Sequence, residues 1–322
     1  MKSILGMGNA LTDILALLPD ESLLEKFHLP HGSMQHVDAK TADTIWRDLK
    51  PLGVQYVAGG SAANTITGTA VLGMPSGFVG KVGDDELGSL FYADQHRNGI
   101  KSCLLKGEHA SGRAMVFVTG PDADRTFAVY LGAALELGPD DLIPEMFHGY
   151  DYFHIEGYLV QNHELILKAV QMAKEEGLKV ALDLASYNVV EDNLAFLNKI
   201  IASYVDIVFA NEEEAKALTG LQPAEALESI AAQVEIAIVK IGEHGAMAIR
   251  GNERVLVPAV EANCIDTTGA GDLFAAGFIY GMSVGRSLVD CARYGTITAG
   301  KVIEVIGPKM TGSGWDSVRA NF

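Results

Sequence analysis

From about residue 134 onward, short runs of β-branched or aromatic residues alternate with amphipathic stretches. The runs at 152–155, 179–182, 207–209 and 236–241 predict strands, and the period near 3.6 at 164–176, 194–204 and 212–218 predicts helices between them. Strands that alternate with helices favour a mostly parallel, doubly wound sheet with helices on both faces, so the class is α/β. Gly177 and Gly220 fall just past two of these helices, where a left-handed residue ends a helix, and Gly99 follows the helix predicted at 84–98 in the same way.

Two stretches, about 15–37 and 101–131, break this rhythm. They hold strand-like runs at 114–119 and 126–131, separated by the turn-forming Gly120-Pro121-Asp122-Ala123-Asp124. A small β-sheet inserted into the α/β body is expected there, and such an appendage makes a natural lid. No internal repeat or interdomain linker interrupts 1–322, which reads as one domain. The N-terminal run Met-Lys-Ser-Ile-Leu-Gly-Met-Gly-Asn-Ala has glycines where a signal peptide needs an apolar core, and reads as a first strand. Residues 51–80 carry no charge, but their Gly, Ser, Thr and Asn content suits buried, closely packed backbone rather than a membrane span.

Composition narrows the function classes. Hydrophobic residues at 48% and charged residues at 20% exclude general disorder. A formal charge of -17, from 41 acidic against 24 basic residues, repels phosphate backbones and anionic lipid, so neither nucleic acid nor membrane is an expected partner. It repels nucleotides too, so any nucleotide site must depend on backbone N–H groups, Mg²⁺ and a few placed cations. Cys103, Cys264 and Cys291 form no C-x-x-C pair and the histidines no H-x-x-x-H, which argues against a disulfide framework or a zinc site and suits a cytoplasmic protein.

The segment Asp266-Thr267-Thr268-Gly269-Ala270-Gly271-Asp272 runs into the helix-like Leu273-Phe274-Ala275-Ala276-Gly277-Phe278. A small-residue turn entering a helix presents unpaired N–H groups and the positive dipole end to an anion. Gly269, Ala270 and Gly271 can therefore form an anion hole, beside which Asp272 is placed to take a proton from an attacking hydroxyl. The same residues also serve a tight turn and a dipole-complementing carboxylate, and the local chemistry leaves both readings open. No G-x-x-x-x-G-K-[ST] string occurs, and Leu11 stands where the third glycine of a dinucleotide fingerprint would follow Gly6-Met7-Gly8. A P-loop enzyme and a Rossmann oxidoreductase are both disfavoured.

D-T-T-G-A-G-D with its helix resembles the C-terminal signature of the ribokinase-like (PfkB) family of carbohydrate and nucleoside kinases. Gly59-Gly60-Ser61-Ala62-Ala63-Asn64, leading to Leu72-Gly73, resembles the N-terminal signature, and Gly80-Lys81-Val82-Gly83-Asp84-Asp85 with Gly88 resembles the run that follows. Together they cover nearly the whole chain. The resemblance implies a ribokinase-like fold and an ATP- and Mg²⁺-dependent kinase with Asp272 as catalytic base.

It implies other roles as well. Asn211 and Glu214 match an N-x-x-E motif that organises water around Mg²⁺, although Asn followed three residues later by Glu is also a helix capping box. Lys240, Gly242 and Gly245 resemble a nucleotide-binding loop, a stretch that would also suit an ordinary hairpin turn. On the acceptor side Asn9 and Asp13, expected at the end of the first strand, join Gly59, Gly60, Ser61 and Asn64, with the glycine pair resembling the hinge of the lid. A carboxylate accepting two hydroxyls orients a polyol well. Arg125 matches an arginine that meets the phosphates when adenosine kinase-like members close. Asp266 and Thr268 match positions around a monovalent-cation site in some members; Gly307-Pro308 departs from the Gly-Ala usual there, which leaves potassium open.

The expected reaction is transfer of the γ-phosphoryl of Mg-ATP to a primary hydroxyl. Gly6-Met7-Gly8-Asn9-Ala10-Leu11-Thr12-Asp13-Ile14, Arg125-Thr126, the run 130–134 and Glu156-Gly157-Tyr158-Leu159 resemble bacterial adenosine kinase-like proteins, so a nucleoside is favoured, with Tyr158 as a wall for its base. A small sugar such as ribose, fructose or 2-keto-3-deoxygluconate is the alternative, and a non-catalytic ligand-binding protein is disfavoured by an intact Asp272. The lid either pairs with another in a homodimer or works alone.

Overall fold

The computed structural model describes residues 1–119 and 124–322. The turn expected from Gly120 to Ala123 lies outside them. Across the larger sheet the strands run Glu253–Val257, Ala246–Arg250, Ile236–Lys240, Ile207–Asn211, Lys179–Asp183, Tyr152–Glu156, Ile4–Met7, Ser76–Val82 and Lys101–Lys106. All neighbours are parallel except the first three strands, which pair antiparallel. The parallel strands read as near-continuous apolar runs because both faces are buried. Along Ile207–Asn211 the side chains alternate between two cores: Ile207 and Phe209 belong to the one that includes the helix Ala270–Ser283, where Phe209 meets Phe278 edge-on, while Val208 and Ala210 belong to the one that includes His163–Glu175 and Leu194–Tyr204.

A second sheet orders Met34–His36, Asp124–Tyr130, Gly112–Thr119, Leu11–Leu17 and Gln55–Gly59. One of its faces, with Ile14, Ala16, Met115 and Phe117, is covered by Leu24, Ala42, Ile45 and Leu49 from the helices Ser22–Lys26 and Ala39–Leu49. The other face, including Asp13, Ala114, Phe127 and Val129, looks into a large cavity against the main body.

Three sequence expectations change here. Lys101–Lys106, expected with the inserted sheet, instead pairs parallel with Ser76–Val82 and extends the large one. The helix Glu86–Arg97 supplies the crossover that parallel pairing requires. Gln55–Gly59, within the stretch expected to be buried throughout, is the partly exposed edge strand of the small sheet, and deep burial begins only at Ala58. Asp13 is not at the end of the first strand: the chain leaves the large sheet after Met7, passes Asn9, and enters the small sheet as Leu11–Leu17 with Asp13 in its middle.

Candidate active site

The carboxyl ends of the parallel strands bring the polar residues together, as open α/β sheets do. Glu156 and Asp183 end adjacent strands in register, and so do Asn211 and Lys240. Facing them is the helix Ala270–Ser283, entered through Gly269 in the left-handed conformation (φ 79°), with Asp272 in its first turn. A side chain at Gly269 would also drive into Pro308.

Asp272 is held from the helix Ser61–Val71. Ser61 Oγ donates to its Oδ1 at 2.7 Å and Asn64 Nδ2 to its Oδ2 at 2.9 Å. Both donors lie in the first turn of the helix Ser61–Val71, whose N-cap Gly60 has φ 96° and leaves no room for a Cβ against the Asn9 carbonyl. Burial pushes the Asp272 carboxyl up to about 6, against the lowering effect of those two hydrogen bonds. Asp13 lies over Gly59, where a Cβ would fall 2.4 Å from its Oδ2, and burial raises it to about 7, partly opposed by the Lys309 charge.

Glu156 was not singled out from the sequence. It is 1% exposed and ties Asn9 to the start of the helix Ser61–Val71: its Oε1 accepts from Asn9 N at 2.9 Å and Asn9 Nδ2 at 2.7 Å, and its Oε2 from Ala62 N at 2.8 Å. Burial raises it to about 7. Asp183, likewise missed, is bound by Lys240 Nζ at 3.0 Å. The signal available in the sequence was a lone acid closing an apolar strand, seen in both Tyr152–Glu156 and Lys179–Asp183. Tyr158 donates its hydroxyl to the Ala185 carbonyl at 3.3 Å, which tethers the ring in the cavity wall; burial pushes that hydroxyl upward.

On the far side, Asn211 and Glu214 form the capping box. Asn211 Oδ1 accepts from Glu214 N, and Glu214 Oε2 from Asn211 N, both at 2.8 Å. Asn211 Nδ2 donates to Glu214 Oε1 as well. Glu214 is 3% exposed and burial raises it to about 7 against the pull of Lys240. Each carboxylate oxygen keeps a second lone pair, so the pair fits a water-bridged Mg²⁺. Gly242 opens a short turn, Gly242–His244, and Gly245 caps it within the hairpin that follows Lys240; a Cβ at Gly245 would strike the Val257 carbonyl.

Arg125 comes from the small sheet and reaches the main body. Its Nη1 donates to Thr268 Oγ1 at 3.0 Å, and its Nη2 lies 2.7 Å from Asp266 Oδ2, a close ion pair not aligned as a hydrogen bond. Asp266 also accepts from Thr268 N on Oδ1 and Gly307 N on Oδ2. Its charge is thus already compensated by a guanidinium and two amides. These residues do not fit a monovalent cation held by Asp266.

One cavity of about 1210 Å³ is lined by Asn9, Asp13, Gly60, Ser61, Asn64 and Tyr158, by the 269–272 turn, and by Asn211, Glu214, Lys240, Gly242 and Gly245. The turn touches both ends: Asp272 bonds Ser61 and Asn64, while Gly271 abuts the Lys240 ammonium. Gly59, Arg125 and Asp266 stand at its margins through Asp13 and Thr268. The sequence reading and the fold therefore bring the same residues to one place, an arrangement suited to joining two substrates across an anion hole.

Residues 37–311 match the pfkB family carbohydrate kinases. An adenosine kinase from Schizophyllum commune is 30% identical, covering 94% of this chain and 95% of its own. Among solved structures, an adenosine kinase from Sinorhizobium meliloti superposes with a TM-score of 0.88 at 37% identity, covering 99% of both chains. A probable sugar kinase from Rhizobium etli CFN 42 gives 0.88 at 36%, covering 99% of this chain and 98% of its own. The fold and these relatives define a phosphotransferase of ribokinase-like architecture. The chain belongs to the pfkB family, the carbohydrate kinases whose members act on small sugars or nucleosides. Among the described residues, no helix is long and apolar enough to cross a membrane.

Proposed function

We propose that the chain transfers the γ-phosphoryl group of ATP to the 5′ hydroxyl of adenosine or a closely related nucleoside. The observation that carries this reading is Asp272, fixed by Ser61 and Asn64 beside the 269–271 turn within one cavity. In that place it takes the proton of the acceptor hydroxyl while the backbone N–H groups of the turn receive the transferred phosphoryl oxygens. Asp13 grips the acceptor's other hydroxyls, with Asn9, Gly59 and Gly60 shaping the same pocket. Asn211, Glu214, Gly242, Gly245 and Thr268 serve the nucleotide end, with Lys240 bordering the turn. Mg²⁺, held through water by Glu214, would neutralise phosphate charge when bound.

A nucleoside is favoured over a free sugar by the acceptor wall. Met34, Phe127, Val129, Leu135, Tyr158 and Leu159 give an apolar surface wider than a single sugar ring needs. The adenosine kinase relatives support the same preference. The small sheet acts as a lid hinged near Gly59 and Gly60, with Arg125 closing over the phosphates. Because its outer face is already covered by the chain's own helices, a lid working alone is favoured over a lid-to-lid homodimer. Use of ATP and three free cysteines suit a cytoplasmic location.

The test compares kcat/KM for adenosine, guanosine, inosine, ribose, fructose and 2-keto-3-deoxygluconate with ATP. Adenosine or another nucleoside should lead. A free sugar that outperforms every nucleoside overturns the nucleoside assignment, and no transfer to any acceptor overturns the kinase reading.

A further inference from the structure

We propose that Lys240 is a catalytic cation that touches the transferring phosphoryl group, and that Asp183 is the residue that positions it. This rests on the kinase reading above. It gives Lys240 a role at the reacting centre rather than in nucleotide binding, and gives Asp183 a task that its position alone did not suggest.

The geometry starts at Gly271. A Cβ built there would lie 3.1 Å from Lys240 Nζ and meet nothing else within 4 Å, so the ammonium itself is the neighbour of the turn. That turn opens the helix Ala270–Ser283, whose N-terminus carries the positive end of the dipole. A cation is the wrong sign for such a place unless an anion shares it. Three carboxylates face the ammonium, and each has partners of its own: Asp183 binds it from the sheet side, Glu214 is held by the Asn211 amide and side chain, and Asp272 is turned toward Ser61 and Asn64. Both the helix N-terminus and Lys240 are arranged for one further anion, and a phosphoryl group in flight supplies it.

Asp183 is built to aim the ammonium. Its Oδ2 accepts from Lys240 Nζ at 3.0 Å while its Oδ1 accepts from Ala185 N at 3.1 Å. Ala185 has φ 65°, a left-handed conformation unusual for a residue with a Cβ, so the backbone is bent to serve this carboxylate. Asp183 is 4% exposed. Among the described residues, Lys240 makes its hydrogen bond to Asp183, and the ammonium has three N–H groups, which leaves donors for the cavity it lines. In the step itself, the acceptor oxygen forms its bond to Pγ as the bond from Pγ to the ADP oxygen breaks. The acceptor proton passes to Asp272, and Lys240 keeps its own proton throughout, donating to an oxygen of the phosphoryl group.

The experiment uses the full chain with its best acceptor. K240M should lower kcat by about 10² to 10³, the loss typical of removing one donor from such a hole, with KM for the acceptor within about threefold. D183N should lower kcat in the same sense by a smaller factor, and K240R should recover part of the loss. Binding separates catalysis from mere charge balance: wild type should hold ADP with aluminium fluoride far more tightly than ADP alone, and K240M should lose that preference while keeping its affinity for ADP. Should K240M fail to fold, D183N and K240R carry the same comparison. A K240M kcat within about threefold of wild type overturns the proposal, and so does recovery of kcat in the K240M/D183N double variant, which would mean that the two charges only neutralise each other. A wild type inactive on every acceptor overturns the kinase reading beneath it.

Discussion

Asp272→Asn separates catalysis from stability more cleanly than any other substitution in the site. An asparagine can keep both local contacts, its carbonyl accepting from Asn64 Nδ2 and its amide donating to Ser61 Oγ, whose hydroxyl then turns from donor to acceptor. What it lacks is basicity. Loss of a general base costs about 10² to 10⁴ in kcat, or roughly 3 to 5 kcal/mol of barrier. Stability should move the other way. Burial lifts the carboxyl from 3.8 to about 6, so the native state binds the proton more tightly than the unfolded chain does. Wild-type stability therefore falls as pH rises through this window, and above pH 6 the penalty is complete, at most about 3 kcal/mol and less for a partly exposed group. The variant's neutral amide carries no such penalty. ADP release across a pH series should show wild-type kcat/KM rising through about pH 6 and the variant flat and low. Thermal unfolding should show the variant more stable than wild type at pH 8 and the gap shrinking at pH 5. A variant with wild-type kcat would refute the assignment of the base, and one clearly less stable than wild type at pH 8 would refute the account of its burial.

The lid should close on the acceptor, so amide exchange in Gly112–Thr119 and Asp124–Tyr130 should slow when saturating substrate is added; unchanged protection there would mean the small sheet does not move. Because Arg125 and two amides already compensate Asp266, initial rates should not change when potassium is replaced by tetramethylammonium. A severalfold activation by potassium would refute this expectation. Together with the acceptor panel and the Lys240 and Asp183 variants, these measurements cover the acceptor, the base, the lid and the phosphoryl end separately.

Much of the site was legible in the chain because its signals are local. The Asn211–Glu214 capping box closes within one helical turn, and the 269–272 turn carries its glycines, its helix start and its carboxylate in consecutive residues. Strands buried on both faces announce themselves as unbroken apolar runs, so Tyr152–Glu156 and Ile207–Asn211 were found to within a residue or two. Neighbours along the chain decide these features, and no partner far away is needed to read them.

Tertiary structure alone decided the rest, because it depends on which distant segments meet. Glu156 acquires its role from Asn9 and Ala62, which lie 147 and 94 positions away, whereas its own neighbourhood shows only a lone acid closing an apolar strand. Asp13 faces Gly59 only because the chain crosses from one sheet to the other after Asn9, a change of sheet that period-two patterning does not record. Lys101–Lys106 has the same alternation whichever sheet it joins, and the crossover helix Glu86–Arg97 settles the choice by delivering it parallel to Ser76–Val82. Lys240 read as part of a loop and Asp183 was not singled out until packing set their charges 3.0 Å apart beneath a helix N-terminus. Sequence determined the elements and the local chemistry each carries; burial, register and the meeting of two sheets determined which of those groups share a cavity and how their charges are tuned.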